Sequence, residues 1–143
     1  MARRALTVCL AGAWLLALTP PAAAHHAVAA EFDQDKPIKF TGKIKMIEWM
    51  NPHIYTQVEV KEADGKTVVY RVEGGAPNAL FRAGWRKDSL KVGEVVTVSG
   101  IRAKAASSNN VGQASIVTSD GKYFYVGAGG NRGPSQPPAQ PQQ

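Results

Sequence analysis

Pro37-Ile38-Lys39-Phe40-Thr41-Gly42-Lys43-Ile44-Lys45-Met46 is the stretch on which the fold of this chain turns. Ile38, Phe40, Gly42, Ile44 and Met46 alternate with Lys39, Thr41, Lys43 and Lys45. A period of two is the mark of a strand with one face in a core and the other in water. The alternation slips at Ile47-Glu48-Trp49, which predicts a bulge or sharp bend there. Asn51-Pro52-His53 reads as a turn, because Pro52 fixes its own φ and disfavours helix at Asn51.

Downstream the same period returns. Ile54 to Val60 reads as a second strand, and Asp64-Gly65 is a hairpin signal into a third over Thr67 to Glu73. Gly74-Gly75 ends this meander. Pro77 to Gly84 predicts a short helix, with proline in its first turn and glycine just past its end. A β-branched strand follows from Val95 to Ile101, another lies around Ala114 to Thr118, and Lys122 to Tyr125 reads as a closing strand. Upstream, Ala27 to Lys36 is polar and reads as an arm. The resulting fold class is all-β: a small β-barrel of OB-fold type, five to six strands with one short helix between strands three and four. Closing the sheet removes its edges and suits a small domain without disulfides.

The start of the chain predicts a signal peptide over residues 1–24. Arg3 and Arg4 precede an apolar stretch of 14 residues, Ala5 to Leu18. That is an ordinary leader length and too short to span a bilayer, so an integral membrane protein is not expected. Ala22-Ala23-Ala24 supplies the small residues of a cleavage site. The mature protein would be periplasmic or secreted, and it would lack a thiol, since Cys9 is the only cysteine. Cleavage after Ala24 leaves 119 residues, and losing Arg3 and Arg4 lowers the formal charge from +6 to +4. The domain then runs over residues 25–126 with an N-terminal arm, 25–37. A Gly/Pro/Gln-rich tail, 127–143, is expected to be disordered. Nucleic acid is an unexpected partner for an exported chain of this modest charge.

His25-His26, Phe32-Asp33, Pro37, Gly42, Trp49, Asn51-Pro52-His53, Glu73, Pro77-Asn78, Leu80, Gly84-Trp85 and Val96-Thr97-Val98 with Gly100 together resemble a family of short secreted bacterial proteins of unknown function. Its members are alike in a His-His start and a Trp-x-Asn-Pro-His motif. The resemblance covers His25 to about Gly121. It departs at Ala76, Tyr70 and Glu94, where serine, tryptophan and aspartate are expected. It implies export and a shared fold, and no reaction.

His25, His26 and His53 are the three histidines of the chain. After cleavage, the α-amine and Nδ1 of His25 can chelate copper, and further imidazoles would complete the planar nitrogen set that Cu(II) prefers. Amine and imidazole ordinarily lose protons at about 7.7–8.0 and about 6.5, so such binding would weaken as pH falls. The bland alternative is a solvated terminus and a hydrogen-bonded turn histidine. Trp49, Tyr55, Tyr70 and Trp85, with Lys43 and Lys45, form a second candidate, a basic and aromatic ligand face; barrel packing is the competing reading for the aromatics. Glu48 and Glu73 stand out as acids embedded in apolar strand sequence. There is no Ser-His-Asp order, phosphate loop or Gly-x-Ser-x-Gly, so enzymatic activity has no motif behind it. The expectation is an exported, non-enzymatic binding module, with copper as its candidate ligand. The runner-up is an envelope module for an acidic glycan, lipid headgroup or protein partner. A copper-dependent redox enzyme with a histidine brace is third.

Overall fold

The computed structural model describes residues 29–127. The leader, His25, His26 and the tail beyond Gly127 lie outside the described residues. After a helical turn over residues 29–31 come six strands and one further short helix: β1 (Phe32–Glu48), β2 (Tyr55–Lys61), β3 (Thr67–Glu73), α1 (Pro77–Arg82), β4 (Val95–Ala103), β5 (Asn110–Thr118) and β6 (Tyr123–Tyr125). The sheet order is β3-β2-β1-β4-β5-β6, and a further parallel pairing of β3 with β5 closes the first five strands into a ring. The all-β expectation holds, with the helix between the third and fourth strands.

Ring closure depends on β1, a strand of 17 residues that serves two neighbours. Pro37 to Lys43 pair with β4, and Lys43 to Glu48 pair with β2. The changeover centres on Gly42. A Cβ there would stand 2.8 Å from the Val58 and Val60 side chains and closer still to the Glu59 carbonyl oxygen. Only glycine admits so close an approach of two backbones.

Three details differ from the sequence expectation, the first being that β5 starts at Asn110 rather than around Ala114, so that Asn110 and Val111 make the pairing with β3. Strand β1 begins at Phe32 rather than after an arm ending at residue 37, because Phe32 is buried over Gly112 while Gln34, Asp35 and Lys36 stay exposed. Polar outward residues hid this first turn of strand. The bulge lies at Lys45, between the pairs Ile44–Val58 and Met46–Gln57, rather than at Ile47 to Trp49. One extra residue inverts the faces of everything after it. Ile44 is thus 1% exposed while Met46, expected inside, is 47% exposed. Ile47 and Trp49 turn inward instead, and Glu48 outward.

The core fills the ring with Ile44, Val58, Val72, Val96, Val98, Val111 and Ile116. Burying a side chain of this size contributes about 1.5–3 kcal/mol, which replaces the stabilisation a disulfide would bring. Leu80 of α1, then Trp85 and Leu90, pack onto this core. The helix stops where Gly84 takes φ +93°, and Arg86 Nη1 donates to the carbonyls of Phe81 and Trp85. The β2–β3 hairpin turns at Gly65, φ +85°, with Gly65 N–H donating to the Glu62 carbonyl.

Candidate functional site

The outer face of β1, β2 and β3 follows from strand register. Glu48 opposes Tyr55, and Tyr55 opposes Glu73, giving one row across three strands. Met46, Gln57 and Arg71 form the adjacent row, which continues to Asn110 of β5. The bulge at Lys45 is what turns Met46 and Glu48 to this side.

His53 sits at one end of the first row. The segment joining β1 to β2 is tied to the residues after β3 by two backbone bonds: Ile54 N–H to the Gly75 carbonyl, and Gly74 N–H to the Ile54 carbonyl, at 3.1 and 2.7 Å. These hold His53 beside Glu73, and His53 Nδ1 meets Glu73 Oε1 in a close polar contact. The His53 side chain is 34% exposed and the Glu73 side chain 13%. Burial pushes the Glu73 carboxyl above its ordinary value, the His53 imidazole pulls it partly back, and the charge of Glu31 raises it further. Tyr55 is held above the usual phenol value by burial first and the Glu73 charge second.

Arg71 is the counter-charge of the face. Its guanidinium lies over the Tyr55 ring, 3.4 Å from the centroid, and its Nε is 3.5 Å from Glu48 Oε2. Gln57 Nε2 donates to the same carboxylate oxygen at 3.3 Å. Glu31 belongs to the helical turn before β1, and three contacts tie that turn to the β4–β5 side. Lys104 N–H donates to the Glu31 carbonyl at 2.9 Å, Lys104 Nζ donates to the Ala29 carbonyl at 2.5 Å, and Asn110 Nδ2 donates to Glu31 Oε1 at 3.2 Å. The chain therefore joins the ring alongside this face.

Of the residues expected to carry function, His53 and Tyr55 belong to the face; His25 and His26 lie outside the described residues. Tyr70 and Trp85 do not share it. Tyr70 is 6% exposed and stacks on Phe40 at 4.3 Å; Trp85 is 3% exposed and packs on Phe124 at 4.8 Å. Both fall on inward positions, where an aromatic ring fills more core than any aliphatic side chain. Trp49 packs against the same core, and its indole N–H is buried without a partner among the described residues. Lys43 and Lys45 are exposed on β1, Lys43 between Glu59 and Val95. They make no common surface with Tyr70 and Trp85. The sequence reading missed Arg71 and Gln57, whose outward places in alternating strands look like ordinary solvated positions. Acids within apolar strands did point to Glu48 and Glu73.

Among the described residues no three His, Cys, Asp or Glu side chains are grouped so as to hold a metal ion. No helix among them is long and apolar enough to cross a membrane. An open groove of about 450 Å³ lies elsewhere, lined by Asp88, Lys91, Glu94, Asp120 and Lys122 among others, and contains none of the face residues. A family model, family of unknown function (DUF6152), matches residues 12–113. No curated protein and no solved structure matches the chain.

Proposed function

This chain belongs to the family of unknown function DUF6152, a membership that attaches no reaction to it, and from its own residues we propose an exported copper-binding module that uses His25, His26 and His53. The observation that carries this reading is the anchoring of Ala29 and Glu31 alongside the face of His53 and Glu73. His26 precedes Ala29 by three residues and His25 by four. An extended chain spans about 3.3–3.6 Å per residue, so these positions have a reach of roughly 10 and 14 Å from Ala29. The reading requires that this reach span the gap from Ala29 to His53, on the side of the ring where Glu31 already acts on the Glu73 carboxyl.

Charge favours a cation here. Glu31, Glu48 and Glu73 lie on or beside this face, with Arg71 on it and Lys104 at the Ala29 turn as counter-charges, so the balance of acids favours a metal ion over an acidic glycan or lipid headgroup. A nitrogen-only donor set with a terminal amine suits Cu(II) above the harder divalent ions.

The test is a titration of the mature protein, its start at His25 verified by intact mass, with Cu(II) followed by calorimetry and electron paramagnetic resonance. One ion per chain with nitrogen hyperfine structure is expected. Binding should weaken in His25→Ala, in His53→Ala, and when one extra residue precedes His25. Equal binding by the extended form would remove the terminal amine from the site. Absence of Cu(II) binding would refute the reading.

A further inference from the structure

His53 has two ring nitrogens, and the structure distinguishes them. Nδ1 is paired with Glu73 Oε1, while Nε2 has no hydrogen-bond partner among the described residues. A carboxylate only accepts hydrogen bonds, so the proton of a neutral imidazole facing it belongs on Nδ1, and the lone pair is then left on Nε2. The arrangement is built rather than incidental. Glu73 ends β3 opposite Tyr55 in the ladder, and its carboxylate is largely covered. The bonds from Ile54 to Gly75 and from Gly74 to Ile54 lock the backbones on both sides of the pair.

We infer that Glu73 is a positioning residue, which holds His53 as the Nδ1–H tautomer and thereby makes Nε2 the nitrogen that this histidine offers to a metal. The inference rests on the copper reading for its metal and on the described geometry alone for its tautomer. A carboxylate behind a ligating imidazole fixes ring orientation and raises its basicity; losing such a partner typically weakens metal binding about 10–100-fold. In the copper reading, His53 would add Nε2 to the amine and Nδ1 that His25 supplies.

The experiment is long-range proton–nitrogen NMR of the metal-free mature protein above the imidazole titration range, compared across wild type, Glu73→Gln and Glu73→Ala. In wild type, His53 is expected to show a protonated Nδ1 and an unprotonated Nε2. Glu73→Gln keeps an acceptor oxygen and should retain that tautomer. Glu73→Ala should lose it and, in a Cu(II) titration, bind about 10–100-fold more weakly while keeping the amide spectrum of a folded chain. A wild-type His53 protonated on Nε2, or a tautomer unchanged in both variants, would overturn the role of Glu73. So would unaltered Cu(II) affinity in Glu73→Ala where His53→Ala weakens it. If wild type binds no Cu(II), the copper reading falls by itself, and the NMR comparison still decides what Glu73 does to His53.

Discussion

Replacing Gly42 by alanine adds one methyl group where β1 passes from one neighbour to the other. That methyl would meet the Val58 and Val60 side chains at 2.8 Å, and it would meet the Glu59 carbonyl oxygen more closely still. The valines can rotate or shift slightly. The carbonyl cannot, because Glu59 is held in the ladder between Lys43 and Val69. Overpacking of this kind costs about 1–3 kcal/mol, and contact with backbone puts Gly42→Ala toward the upper end. Alanine recovers about 0.5–1 kcal/mol through lower chain entropy in a strand interior. The net expectation is a loss of about 1–2 kcal/mol. In a domain of this size each kcal/mol moves the midpoint by about 4–8 °C, so Tm should fall by roughly 5–15 °C. Thermal and urea denaturation of the mature protein would read this, with the urea midpoint shifting at constant slope. The change should also disturb amide signals of Glu48, Tyr55 and Glu73, since their row depends on the β1–β2 register. An alanine variant as stable as wild type would refute the claim that backbone proximity at Gly42 governs the changeover of β1.

Two further perturbations test the electrostatic picture. Asp120, paired with Lys122 Nζ at 2.8 Å and with the Thr118 hydroxyl, has its carboxyl pulled down to about 2, chiefly by Lys122. A depressed pKa means that this pairing supports the fold above the ordinary carboxylate range and is lost as pH falls toward about 2; carbon-detected NMR titration should find that low midpoint, and a value near the usual ~3.9 would contradict the pairing. Arg71→Ala removes the guanidinium from Tyr55 and Glu48, which should cost about 0.5–1 kcal/mol in urea denaturation for a contact this exposed. The same change leaves the acids of the face less compensated, so Cu(II) should bind more tightly; weaker binding would oppose the cationic preference assigned to this surface.

Much of the ring was legible because its signals are local. Alternating residues from Ile38 to Ile44, Asp64-Gly65 at the hairpin, and Pro77 with Gly84 around α1 each act within a few residues of themselves. The Trp49 to His53 segment and the acids Glu48 and Glu73 also stood out by type and setting. The bulge at Lys45 did not, because Lys45 and Met46 carry side chains that either face tolerates. Arg71 was silent for a related reason: an outward arginine in a strand is commonplace until its neighbours across the sheet are known.

The sequence by itself determined the alternating middle of the strands, where the hairpin and helix fall, and that three histidines are the side chains offering a metal imidazole nitrogen. Tertiary structure decided that β1 bulges at Lys45, that β3 closes onto β5, and that Tyr70 and Trp85 belong to the core. It also decided that His53 meets Glu73 and that Ala29 to Glu31 join the ring alongside them. The division has one cause. Period and turn chemistry are properties of neighbouring residues, whereas register and closure depend on which distant backbones can approach, as they do at Gly42.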